Sequence, residues 1–249
     1  AQAQVITQEP DAAALLDDIE RRALFVVDVG TEERTLRLHD LFKQALQRRL
    51  ATEPELDSQE LLQRAARVEA DPARRIELLL RAQAWEPASA TLAAIAPDAL
   101  LTGAADEVER LLRAFPPSQR DVLPALSFVD GLVALSRWQW ARIPPLMKQA
   151  AALWREAGDS AQANEADSLV PLALAGLGEN RSARAQLQAS ASPDLPATAR
   201  LRRSVAESWI RLAEGALAPA AACLAETVDI LAVHDAPPYL WQQAQPLPV

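Results

Sequence analysis

Few residues in this chain are of types that do chemistry, and their spacing narrows that chemistry further. His39 and Asp40 stand where the pattern predicts a helix start, a place where unpaired backbone N–H groups favour an anion. Asp40 reads as the helix cap rather than as a magnesium ligand. The only other histidine is His234 and the only cysteine is Cys223, so no His/Cys set has metal-ligand spacing and no internal disulfide can form. The carboxylate pairs Asp17-Asp18 and Glu32-Glu33 fall on a helix surface and in a turn, with no histidine in sequence reach. They do not assemble a general acid and base. No Gly-x-x-x-x-Gly-Lys-Ser/Thr string occurs, so a phosphate-cradling loop is missing from the sequence. The expectation is a segment with no catalytic residue, no metal and no cofactor of its own: not an enzyme.

Aromatic and basic residues offer binding chemistry instead. Trp85, Trp138, Trp140, Trp154, Trp209 and Trp241 could wall a ligand site or plug the junctions between packed helices. Trp85 and Trp154 read as plugs. Trp138 and Trp140, flanked by Arg137 and Arg142, are the candidates for an exposed groove, with Trp138, Trp140 and Arg142 facing a small effector or a partner protein. Arg21-Arg22 and Arg200-Leu201-Arg202-Arg203 are isolated within an acidic chain and read as solvated faces or ion pairs. Cys223 sits on the apolar side of an Ala-rich helical pattern and reads as core.

The elements that must position these residues are helical. The chain has 249 residues, half of them apolar, with only 4 Phe, 1 Tyr, 6 Trp and 7 Gly, a composition that favours helix over sandwich or barrel. Residues 11–50 differ from the remainder. A helix is predicted from Asp11, with that residue as its cap, followed by the β-branched run Leu24–Val29, a turn through Gly30–Glu33, and an alternating run Arg34–Leu38. The two runs read as a β-hairpin. A helix from Leu41 to Leu50 follows, with Leu41, Phe42, Ala45, Leu46 and Leu50 on one stripe. Helix, hairpin and helix together make the closing half of a winged-helix unit, and residues 1–56 are assigned to it.

From Asp57 the apolar stripes keep helical spacing: Ile76, Leu79 and Leu80; Val108, Leu111, Leu112 and Phe115; Leu146, Ala150, Leu153 and Trp154; Leu224, Val228 and Leu231. Short Pro, Gly or Asp breaks imply antiparallel hairpins. Arg137, Gly178 and Gly215, taken as equivalent helix ends, are spaced by 41 and 37 residues, near the tetratricopeptide period of about 34. Second helices are expected over Ile143–Ala157, Arg181–Ala191 and Pro219–Val233. Pro171 should kink its helix or shift its start. Residues 57–249 are therefore expected to form a helical-repeat, tetratricopeptide-like solenoid, making the chain all-α apart from one β-hairpin.

With those elements in place, three strings carry a resemblance. Residues 15–50, ending in Leu38-His39-Asp40-Leu41-Phe42, resemble the end of the nucleotide-binding module of STAND-class ATPases, most closely the MalT-like, LuxR-family bacterial regulators. Residues Ile76–Ala88, with Trp85 following a small-residue turn, are similar to that family's first solenoid hairpin; the usual Gly-Asp before the Trp is Gln83-Ala84 here. Val108–Pro117 is similar to its apolar helix closing on a proline. The resemblance implies a multidomain switch with an upstream nucleotide-binding domain, a winged helix, a sensor domain and a C-terminal DNA-binding domain. His39 would then contact the β-phosphate of ADP bound in the parent protein, whose cofactor is ATP or ADP.

The leading functional expectation is a sensor segment that binds an effector molecule or regulatory protein and couples it to a nucleotide switch outside the chain. The other is a tetratricopeptide-like scaffold with no such switch. Self-association is compatible with either. A net charge of −9 disfavours contact with nucleic acid. No apolar run is long enough to span a membrane, and the opening residues are too polar for a signal peptide, so a cytoplasmic location is expected. The chain opens on Ala1 and its only methionine is Met147, which points to a piece of a longer protein.

Overall fold

The structure, a computed structural model, describes residues 2–22, 26–28, 36–52, 57–190 and 195–233. It divides into two compact units, residues 1–88 and 89–249. In the first unit, helices α1 (Gln2–Thr7) and α2 (Ala12–Arg21) precede two three-residue strands, β1 (Val26–Asp28) and β2 (Leu36–Leu38). The strands pair antiparallel, Val26 opposite Leu38 and Asp28 opposite Leu36. The turn expected between them, including Glu32-Glu33, lies outside the described residues. Helices α3 (Asp40–Thr52), α4 (Ser58–Val68) and α5 (Pro72–Arg81) complete the unit, with α4 packed on α1 and α5. Helices α4 and α5, expected at the head of the repeat domain, thus group with the N-terminal unit.

Two expectations about helix ends need correction. Asp11 occupies the N-cap of α2, but its side chain makes no capping bond, and Asp40 is the first helical residue of α3 rather than its cap. Asp57 does cap, accepting from the N–H groups of Gln59 at 2.9 Å and Glu60 at 3.1 Å. We therefore expect Asp57→Ala to lower the first unit's stability by about 1 kcal/mol, and Asp11→Ala to change it little, as measured by urea unfolding. Two members of the stripe expected on α3 are not buried: Leu41 is 72% and Leu46 39% exposed.

The second unit is all helix among its described residues. It contains the greater part of α6 (Trp85–Leu101), then α7 (Ala105–Arg113), the one-turn α8 (Pro117–Arg120) and α9 (Pro124–Ser136). After a single 3-10 turn at Trp140–Arg142 come α10 (Ile143–Glu156), α11 (Ser160–Gly176), α12 (Asn180–Ala189), α13 (Ala197–Ala213) and α14 (Leu217–Val233). Helix α11 runs through Pro171 rather than starting there. From α9 onward each helix packs on the next, and α11 also packs on α13, giving a helical-repeat arrangement. Its core is rich in alanine: Ala150, Ala151, Ala163, Ala166, Ala173, Ala183 and Ala206 are fully buried in one cluster with Met147, Leu169 and Ile210. Small side chains let helix backbones approach closely, which is why so few aromatics suffice.

The repeats are legible in their joints. Besides α1, which Gln8 follows, six helices end on one residue with positive φ: Gln83, Gly103, Trp138, Gly158, Gly178 and Gly215. Each end has the paired backbone bonds of a Schellman cap, as in Gly178 N–H to the Ala175 carbonyl and Glu179 N–H to the Leu174 carbonyl, both at 2.9 Å. The next helical residue follows two positions later each time. The true equivalent of Gly178 and Gly215 is therefore Trp138, one residue beyond the Arg137 used in the sequence alignment. Gln83 takes the left-handed conformation that the missing glycine would have supplied.

Among the described residues no helix is long and apolar enough to cross a membrane.

Candidate functional site

One face of each of four helices in the second unit opens onto a cavity of about 460 Å³. Helix α6 contributes Pro97, Leu100 and Leu101, and α9 contributes Phe128, Leu132 and Leu135 at the spacing of one helical stripe. Helix α11 supplies Glu165 and Leu172, while α13 supplies Thr198, Arg202 and Trp209. Phe128, Leu132, Leu172 and Trp209 are also members of the buried cluster, so the cavity is let into the core rather than lying on it.

Its two ends differ chemically. At one end Arg202, only 2% exposed, is ion-paired to Glu165 Oε1, and the Thr198 hydroxyl donates to Glu165 Oε2. Arg202 also reaches the Ser168 hydroxyl at 3.3 Å. Both oxygens of the carboxylate are thereby engaged, and the pair is neutral overall. At the other end three indoles meet edge to face, Trp138 on Trp140 with ring centres 5.3 Å apart and Trp140 on Trp209 at 5.9 Å. Edge-to-face contact sets the positive ring rim against the negative ring face. The buried Trp209 Nε1 has no acceptor among the described residues.

Trp138 is an outlier in the backbone as well. It is 56% exposed, with φ 57°. A bulky L-residue in that region costs about 1–2 kcal/mol relative to glycine. The adjoining Trp140 ring lies against Gly176, where an added Cβ would stand 2.8 Å from it.

Of the three groove residues expected from sequence, Trp138 and Trp140 line this cavity and Arg142 does not. Arg142 donates to Asp130 at 3.0 Å and to the Gln139 side chain at 2.7 Å, and lines a separate polar cleft with Glu109, Arg120 and Gln149. Trp154, expected as a plug, is partly buried and packs edge to face on Phe128 at 5.4 Å. Trp85 is half-buried, and Trp241 and His234 lie outside the described residues. His39 is exposed at the head of α3 in the first unit.

Of the solvated faces or ion pairs expected of the two Arg runs, Arg202 makes an ion pair, but a buried one with Glu165, whereas Arg22 pairs with Asp18 at 2.8 Å on an open surface. Sequence reading missed Glu165, Thr198 and Phe128 as wall residues. Spacing within one helix gives no sign of which stripes from distant helices meet.

Cys223 is also less buried than expected. It is only partly covered, and burial is the largest influence on its thiol, raising the pKa above the ordinary cysteine value. A raised pKa leaves less thiolate at neutral pH. Iodoacetamide should therefore modify native Cys223 more slowly than free cysteine at pH 7.5, with the gap closing on unfolding; equal rates by mass spectrometry would contradict this.

Among the described residues no three His, Cys, Asp or Glu are grouped to hold a metal ion. Comparison with curated proteins and with solved structures finds no match in either. One family comparison does succeed: residues 1–60 match the MalT winged helix domain.

Proposed function

We propose that this chain is a regulatory segment of a MalT-like, ATP-dependent transcriptional regulator. Its first unit adjoins a nucleotide-binding module outside the chain, and its second unit binds an effector. Effector binding biases that module between an ADP-held resting state and an ATP-bound multimer, to the extent that the effector prefers one state over the other. His39, exposed at a helix start, contributes to the nucleotide site in the larger protein. The setting is cytoplasmic.

The carrying observation is the juxtaposition along one chain of a match to the MalT winged helix domain at residues 1–60 and packed helices that line a cavity. A concave, mainly apolar cavity with a few convergent polar groups is the usual form of a small-molecule site.

A thermal-shift screen of the whole chain against sugars, nucleotides, amino acids and neutral amphiphiles tests the sensing half. A ligand held at about 100 times its Kd adds about 2.7 kcal/mol to the folded state, enough to raise Tm visibly. One responding class is the expected result. A folded chain that responds to none overturns small-molecule sensing. The nucleotide half is tested on the coding frame before Ala1, where a phosphate-binding loop is expected; its absence overturns the switch.

A further inference from the structure

We propose that the cavity of the second unit takes a neutral, elongated amphiphile, an acyl or aryl body carrying one amide, ester or hydroxyl head, and that Trp138 is its selecting wall. This rests on the sensor reading above and gives it a ligand class.

The shape comes from the helices. Thr198, Arg202 and Trp209 face the cavity from one side of α13, and the rise of an α-helix puts Thr198 and Trp209 about 16 Å apart along it. The space is therefore long, with its hydrogen-bonding groups at the Thr198 end and its indoles at the Trp209 end. The walls between them are Phe128, Leu132 and Leu172, which belong to the core cluster. To reach these buried walls an occupant must be slender.

The charge comes from the polar end. Glu165 already spends both oxygens, one on Arg202 and one on Thr198. A carboxylate or ammonium head would have to break that pair to find its counter-charge, whereas a neutral head can share the hydroxyl of Thr198 and the amide of Gln162 at the rim. The apolar body follows from the aliphatic and aromatic lining, since burying it away from water is the main source of affinity.

Trp138 supplies the independent observation. At four of the six equivalent joints the left-handed residue is glycine, and at a fifth it is Gln83. Here a half-exposed indole occupies the strained position, lines the cavity and meets Trp140 edge to face. Backbone strain held at a site wall signals that the side chain is kept for something other than folding. A merely structural residue would be replaced by glycine with profit.

The test uses the whole chain and the neutral probe N-phenyl-1-naphthylamine, whose emission is excited by energy transfer from the cavity tryptophans. Displacement is compared among decanamide, sodium decanoate and decylammonium chloride below their micelle concentrations. Decanamide should displace the probe at least tenfold more effectively than either ion. Trp138→Gly should keep or raise Tm while weakening probe binding at least tenfold, and Trp138→Phe should retain part of the affinity. Equal displacement by the ions overturns the neutral head. A lowered Tm in Trp138→Gly, or unchanged probe affinity, overturns the role of Trp138. If a sugar, nucleotide or amino acid raises Tm while the amphiphiles do nothing, this ligand class fails and the sensor reading stands.

Discussion

Replacing Glu165 with alanine should cost the second unit about 3–5 kcal/mol, because it removes the carboxylate that is ion-paired to the buried guanidinium of Arg202. Arg202 is 2% exposed, and among its contacts are the Ser168 hydroxyl at 3.3 Å and the Glu165 carbonyl at 3.4 Å. Neither carries the opposite charge. For a unit of this size each kcal/mol moves Tm by roughly 2–4 °C, so scanning calorimetry should show a fall of roughly 6–20 °C. Glu165→Gln, which keeps an acceptor for the arginine, should fall less. The double change Glu165→Leu with Arg202→Met should recover most of the loss, since two well-packed apolar groups are often as good as a buried ion pair. A single Glu165→Ala variant that melts with the wild type would show that Arg202 finds water or another partner, and that the polar end of the cavity is not closed.

That pair also marks where sequence reading stopped. Helix boundaries were legible because they are local. The glycines at 103, 158, 178 and 215 terminate helices through their own conformational freedom, and stripes such as Val108, Leu111 and Leu112 identify the buried face. The same reading put the second helices of the hairpins within a residue or two of Ile143–Glu156, Asn180–Ala189 and Leu217–Val233. On α14 it placed Leu231 correctly, which is buried with Ala220, Thr227 and Ile230, but misplaced Val228, which is 53% exposed. An Ala-rich helix offers little contrast between its sides, so a shift of one position in the stripe is not visible in composition.

The site was legible only in part, and for the opposite reason. Trp138 and Trp140 were conspicuous as a closely spaced aromatic pair at a predicted helix end, and both line the cavity. Arg142 was grouped with them by proximity in sequence. The 3-10 turn at Trp140–Arg142 instead leaves it beside Asp130. Arg202 carried no sequence sign of burial, because a charged residue is admitted to a core by a partner from another helix, and Glu165 lies 37 residues away in sequence. Long-range pairing of this kind is a property of the fold.

The second large effect is expected at Trp140, and its logic can be reversed by one methyl group. Its indole bridges Trp138 and Trp209 and covers Gly176, so Trp140→Ala removes two edge-to-face contacts and leaves a void against the core, a loss of about 3 kcal/mol for a partly buried ring. Gly176→Ala in the wild type should destabilise by about 1–3 kcal/mol, because the new Cβ would stand 2.8 Å from the ring and force it aside. In the Trp140→Ala background that obstacle is gone. Gly176 is the last residue of α11 and has no positive φ, so alanine there should stabilise by up to about 1 kcal/mol through helix propensity. The sign of the Gly176→Ala effect should therefore change between the two backgrounds, which denaturant unfolding of the four variants reads directly. The same sign in both would place the Trp140 ring away from Gly176, and with it dissolve the aromatic end of the cavity.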